Sequence, residues 1–177
     1  MASEEQTIVL ITGGKLPPFL TNGGIGFELA AQLLRDNKYY ILLGSRSIEK
    51  GEAAVKLLQE RELPGKVELL QIDVNDENSI SDAGKMVEEK HGRLDALINN
   101  AAITGEPQTS ASLSARMTAA FLTNVTGPAI IVETFAKLLE KSEKMGRTPR
   151  IINVTSGAGS IGLRSDRTNP HQEMKVV

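Results

Sequence analysis

Residues 7–26 read Thr7-Ile8-Val9-Leu10-Ile11-Thr12-Gly13-Gly14-Lys15-Leu16-Pro17-Pro18-Phe19-Leu20-Thr21-Asn22-Gly23-Gly24-Ile25-Gly26, and the helical pattern Phe27-Glu28-Leu29-Ala30-Ala31 follows directly. An apolar run, a glycine-rich turn and a helix start, in that order, make a phosphate cradle. Glycine lets the backbone come close to a pyrophosphate, and the N–H groups of a helix's first turn have no partner within the helix. The turn is also unusually long.

Strand-like and helix-like segments alternate along the rest of the chain. Strands are expected over residues 7–12, 39–43, 66–72, 94–98 and 150–155. Helices are expected over 24–35, 49–61, 76–91 and, after a polar loop at 101–110, over a long region 112–144. The first helix is read with Ile25, Leu29 and Leu33 on one face. The second carries Ala53, Ala54, Leu57 and Leu58 inward, and the third Ile80, Ala83 and Val87. In the long helix Val125, Ala129, Val132, Ala136 and Leu139 repeat at steps of four and three. Apolar strands without polar alternation imply a sheet covered on both faces, and intervening helices imply parallel crossovers. The expected fold is α/β, a doubly wound parallel sheet of Rossmann type in the order 3-2-1-4-5. Residues 1–160 are expected to form one domain, and 161–177 an irregular tail without helical or strand periodicity.

The 177 residues carry a net charge of −2, with 24% charged and 3% aromatic residues. That balance offers no cationic footprint for nucleic acid or an anionic membrane, and no stacking platform for single strands. Without cysteine, disulfides, thiolate catalysis and Cys-based metal sites are excluded. His91 and His171 stand apart from any ligand cluster, so no metal site is expected. The acidic N-terminus lacks a signal-peptide core, and no run is read as spanning a bilayer, so a cytoplasmic chain is expected.

Further residues fall where a dinucleotide site would need them. Gly44-Ser45-Arg46-Ser47 ends the second strand, where an adenosine ribose would lie. An acidic residue there suits NAD; Arg46 suits the extra phosphate of NADP, so NADP is expected ahead of NAD. Asp73-Val74 closes the third strand, where the carboxylate could accept from the adenine amino group or cap the next helix. Asn99-Asn100-Ala101-Ala102 follows the fourth strand and fits a floor that backbone and cofactor approach closely.

Taken in order, Thr12-Gly13…Gly24-Ile25-Gly26, Asp73-Val74, Asn99-Asn100-Ala101-Ala102, Asn124-Val125-Thr126-Gly127 and Ile151-Ile152-Asn153-Val154-Thr155-Ser156 resemble the classical short-chain dehydrogenase/reductase family. The resemblance covers residues 7 to about 160. It implies a nicotinamide cofactor and hydride transfer between it and a small carbonyl or alcohol substrate. It also implies a homodimer or tetramer built partly on helix 112–144. By the same resemblance Gly13, Asn22, Gly24, Ile25, Gly26, Arg46, Asp73, Val74, Asn99, Asn100, Ala101 and Thr155 would hold the cofactor. Asn124 and Ser156 would be catalytic, as proton-relay and oxyanion-stabilising residues. The physics at Asn124 agrees: Pro128 lacks an N–H, so the carbonyl four residues earlier loses its helical partner.

The family's pattern is departed from twice. Its general acid is a Tyr with a Lys four residues later, but the tyrosines here are Tyr39 and Tyr40, followed at that spacing by Leu43 and Gly44. The expectation is a C-terminally shortened chain, without the family's last helices and strands, that turns over weakly or not at all. A non-catalytic dinucleotide-binding or interaction protein derived from the family is the alternative. The second departure is residues 15–21, which read as an insertion, since removing them restores the family's glycine spacing.

Overall fold

The computed structural model describes residues 5–14, 24–103 and 112–165. Five strands, β1 (Thr7–Ile11), β2 (Tyr39–Ser45), β3 (Lys66–Gln71), β4 (Ala96–Asn99) and β5 (Arg150–Asn153), form one parallel sheet in the order β3-β2-β1-β4-β5. Between them run α1 (Ile25–Leu33), α2 (Ile48–Gln59), α3 (Glu77–His91), α4 (Leu113–Phe121) and α5 (Gly127–Lys144). The expected doubly wound sheet and its strand order are therefore observed.

Successive strand residues point to opposite faces, so each central strand feeds two cores. Ile8, Leu10, Leu42, Leu70 and Leu97 meet α3 and α5 through Ile80, Val87, Ile131 and Phe135. Val9, Ile11, Ile41, Leu43 and Ile98 meet α1 and α2 through Phe27, Ala30, Leu34 and Leu58. This double coverage is why the strands are apolar throughout.

Several helix faces differ from the sequence reading. In α1 Gly26, Phe27, Ala30 and Ala31 are buried and Leu29 and Leu33 pack against the core as read, while Ile25 is 69% exposed. In α2 Gly51, Ala54, Val55 and Leu58 are buried, and Ala53 and Leu57 face solvent. The α3 face is as read. That helix starts at Asp76, whose Oδ1 accepts from Asn78 N–H and Ser79 N–H at 2.9 and 3.4 Å, and it stops at Gly92 with φ +73°. Asp76 is thus the cap, leaving Asp73 for another role.

The long helix is interrupted. Leu122–Thr126 forms a π turn in which the Gly127 N–H donates to the Leu122 carbonyl, five residues back. Downstream, α5 buries Gly127, Ile131, Phe135, Leu138, Leu139 and Ser142, whereas Val125 is 51% exposed. Of the expected stripe, Val125 and Ala129 face away from the sheet, whereas Val132 packs against the core and Leu139 is buried in it. By length and composition the stretch Leu113–Lys144 passes for a membrane-crossing helix, against expectation. Its α5 half is packed on the sheet through Ile131, Phe135 and Leu138. Beyond β5 the expected irregular tail contains a turn of 3₁₀ helix at Gly157–Gly159 and a short helix, α6 (Ile161–Ser165).

At the amino edge of the sheet two polar clusters lock elements together. Asp95, which precedes β4, accepts from Ile8 N–H at 2.7 Å, Ser142 Oγ at 2.5 Å and Arg93 Nε at 3.3 Å, with Arg147 Nη1 3.5 Å away. Glu68 on β3 accepts from Tyr40 Oη, Lys90 Nζ and His91 Nε2. Burial pushes the Glu68 carboxyl up, but the hydrogen bonds from Lys90, His91 and Tyr40 outweigh it and hold the group below its usual range. Burial, together with the Glu68 carboxylate, pushes the Tyr40 phenol up to about 12.

Candidate cofactor site

At the carboxyl edge, β1 and β4 are knitted together by Thr12. Its Oγ1 accepts from the N–H groups of Asn100 and Ala101, each at 3.0 Å, and the Asn100 Nδ2 donates to the Thr12 carbonyl at 2.8 Å. Gly13 turns the chain with φ +74°, a conformation costly for other residues, and a Cβ there would stand 2.8 Å from the Ala101 Cα. Gly24 is the N-cap of α1, and a Cβ on Gly26 would stand 2.5 Å from Asn100 Nδ2. Gly13 and Gly26 are therefore required by close approach of the turn, the helix start and the β4 loop, while a Cβ on Gly24 would meet nothing within 4 Å. The first N–H groups of α1, at Ile25 and Gly26, have no acceptor within the helix.

Between these elements lies a cavity of about 320 Å³. Gly13 and Ile25 line it from the first turn, Arg46 from the end of β2, Asp73 and Val74 from the end of β3, and Asn100 and Ala101 from the end of β4. Seven of the residues read from the sequence as cofactor-binding thus share one space at the strands' carboxyl ends. That is where open α/β sheets hold their ligands. Ser45 and Ala102, from the two segments read as lying at the ribose and the floor, also line it, and Ile72, Asn75, Ile103 and Thr123, which the sequence reading did not nominate, complete the lining. Alternation along β3 would have found Ile72, but nothing local marks Thr123.

Other nominated residues stand elsewhere. Asn99 is buried and its Nδ2 donates to Asn153 Oδ1 on β5 at 2.9 Å, so it joins two strands and is not part of the cavity lining. Adjacent strand residues face opposite ways, which sends Asn99 and Asn100 to different tasks. Thr155 and Ser156 follow the carboxyl end of β5, exposed and outside the lining. Asn124, in the π turn, is exposed and pairs its amide with the backbone of Ile103. Its Oδ1 accepts from the Ile103 N–H at 2.9 Å, and its Nδ2 donates to the Ile103 carbonyl at 2.8 Å. That places Asn124 beside the cavity without lining it. Asn22 and the insertion at 15–21 lie outside the described residues. Among the described residues no group of three or more His, Cys, Asp or Glu is arranged to hold a metal.

The short chain dehydrogenase family matches residues 7–166 of this chain. The chain belongs to the short-chain dehydrogenase/reductase family. A short-chain dehydrogenase of Penicillium roqueforti, anuI, is 41% identical over 97% of this chain and 64% of its own length. The fold of the actinorhodin polyketide ketoreductase, solved with NADPH, superposes with a TM-score of 0.69 at 26% identity, over 88% of this chain and 55% of that one. A metagenomic short-chain oxidoreductase in complex with NADP gives 0.69 at 25% identity, over 87% and 64%. The chain spans somewhat less than two thirds of the length of these relatives. The residues present suit a dinucleotide: the bare backbone turn at Gly13, which has no room for a side chain, shares one cavity with a cation at Arg46 and a carboxylate at Asp73.

Proposed function

We propose that this short-chain dehydrogenase/reductase is an NADP-dependent oxidoreductase acting on a small carbonyl or alcohol substrate. The carrying observation is the single cavity that gathers Gly13, Ile25, Arg46, Asp73, Val74, Asn100 and Ala101. When bound, the nicotinamide supplies the hydride chemistry. The chain's residues bind and orient. The N–H groups at the start of α1 would hold the diphosphate, and Arg46 would pair with the ribose phosphate through charge-assisted bonds. Asp73 accepts from the adenine amino group, and Asn100 and Ala101 form the floor. Gly26 keeps the helix start close. Ser156 donates to the substrate oxygen, and the carbonyl of Asn124, which Pro128 cannot pair with, holds the relay water.

A second reading, a non-catalytic dinucleotide-binding or interaction protein derived from the family, rests on the same cavity, which holds the groups for binding. We also assign the exposed face of Leu113, Met117, Phe121, Leu122 and Val125 to self-association. Isothermal titration of the 177-residue protein with NADPH and NADH, with Arg46→Glu alongside, tests the first reading. The expected result is tighter NADPH binding, weakened about tenfold by the substitution, as for one lost charge-assisted contact at an exposed site. Equal NADPH affinity in both proteins overturns the role of Arg46, and no binding of either nucleotide overturns the function. Substrate-dependent NADPH oxidation by this polypeptide overturns the expectation of weak or absent turnover.

A further inference from the structure

The geometry points to Thr123 and Asn75 as a positioning pair that ties the adenosine side of the cavity to the setting of Asn124. This rests on the dinucleotide reading of the cavity. Thr123 and Asn124 are neighbours in the π turn, yet they grip opposite walls. Thr123 is 5% exposed, and its Oγ1 donates to Asn75 Oδ1 at 2.9 Å. Asn75 belongs to the loop after β3, where its N–H donates to Asp73 Oδ1 at 3.0 Å. The Asp73 N–H in turn donates to Ser79 Oγ at 2.9 Å. On the other side Asn124 holds the Ile103 backbone through two hydrogen bonds, at 2.9 and 2.8 Å.

A line of hydrogen bonds thus runs from Asp73 to Asn75 to Thr123, and through one peptide unit from Asn124 to Ile103. All of these but Asn124 line the cavity. One turn on, a Cβ on Gly127 would stand 2.3 Å from the Val74 carbonyl oxygen, so the helix backbone rests directly on the same loop. The π turn is what allows both grips. One extra residue rotates the following helix by about 100° relative to an uninterrupted one. In an unbroken α-helix, Thr123 and Asn124 could not keep both partners while Gly127 stayed against Val74.

A ligand that steadies Asp73 and Asn75 from the adenosine end therefore also steadies the π turn, and with it Asn124 and the wall at Ile103. Thr123 acts through Asn75 and Asn124 rather than on the ligand.

The test compares wild type, Thr123→Val, Thr123→Ser and Asn75→Ala. The ligands are NADPH and adenosine 2′,5′-bisphosphate, which carries only the adenosine end. The readouts are affinity and hydrogen exchange of the Ile103 amide, the group that donates to Asn124. In wild type the bisphosphate is expected to slow Ile103 exchange. Thr123→Val, which keeps the shape and loses the donor, is expected to abolish that slowing and weaken NADPH up to about tenfold, the scale of one hydrogen bond. Thr123→Ser restores both, and Asn75→Ala, at an exposed loop residue with little bearing on folding, reproduces the Val result. Persistent bisphosphate-induced protection of Ile103 in Thr123→Val, or failure of Thr123→Ser to rescue, overturns the coupling alone. A wild type that binds neither ligand overturns the proposed function and the coupling together.

Discussion

Replacing Gly26 by alanine drives a methyl group into the one place where the first turn, the helix start and the β4 loop meet. The added Cβ would lie 2.5 Å from Asn100 Nδ2 and 3.2 Å from the Gly13 carbonyl oxygen. A side-chain amide can often swing aside, but this one is held, donating to the Thr12 carbonyl at 2.8 Å. Relieving the overlap therefore means backing α1 off the sheet or breaking that bond. Overpacking of this kind costs about 1–3 kcal/mol, and the lost hydrogen bond about 1 kcal/mol more. Alanine's better helix propensity returns about 1 kcal/mol. The net is a destabilisation of about 1–3 kcal/mol, or a fall in Tm of roughly 3–10 °C for a chain of this size. NADPH affinity is expected to fall further than stability alone explains, because Asn100 and Ala101 move with the strained amide. Gly24→Ala is the control: nothing lies within 4 Å of its Cβ position, and its φ is −60°. It should change stability by less than about 1 kcal/mol. Urea unfolding and NADPH titration of the two variants decide the matter. A Gly26→Ala protein with wild-type midpoint and affinity, or a Gly24→Ala protein damaged equally, would refute the packed-cradle argument.

Two further expectations concern the opposite edge of the sheet. Ser142→Ala removes a fully buried hydroxyl from Asp95, whose other partners remain. The expected loss is about 1.5–2 kcal/mol, the low end for a hydrogen bond to a charged group, read as a lower urea midpoint with unchanged NADPH affinity. Tyr40 is expected to ionise near pH 12 when followed by absorbance at 295 nm, well above its ordinary 10.0. Because its folded pKa is raised, the stability it contributes is intact below pH 10 and is lost as pH climbs from 10 toward 12. Glu68 has the opposite sign. Its folded pKa is lowered, so its contribution is intact above the ordinary 4.5 and is lost as pH falls below that value. Tyr40→Phe should remove the alkaline part of the profile. An alkaline stability loss of the same size in Tyr40→Phe would show that the Tyr40–Glu68 bond is not its origin.

The sheet was legible because it depends on patterns that act locally. Apolar strands alternating with helices leave few topologies, and right-handed crossovers leave fewer. The cavity was legible in part for the same reason, since Gly13, Arg46, Asp73 and Asn100 each end or follow a strand. What escaped the sequence depends on phase. In α1 the count began at Ile25, but the first turn faces the cavity and the core-facing set begins at Phe27. In the long helix a single period was carried from Val125 to Leu139, across a π turn that adds one residue to the count. The first members of that pattern, Val125 and Ala129, fall on the outward face, while Val132 and Leu139 reach the core beside Ile131 and Phe135. Asn99 and Asn100 are adjacent in the sequence and read alike there, but a strand sends adjacent side chains apart.

The same phase shift accounts for the residues missed altogether. Thr123 and Asn75 are 48 positions apart, and neither belongs to a motif by itself. They meet because Pro128 withholds an N–H from the helix just where Gly127 lets it rest on the Val74 carbonyl. A proline and a glycine side by side read locally as an irregularity. In three dimensions they bring the helix that carries Asn124 against the loop that would hold the adenine. The link between the two halves of this site is thus a backbone property of residues 122–128, visible only once the sheet has placed both ends.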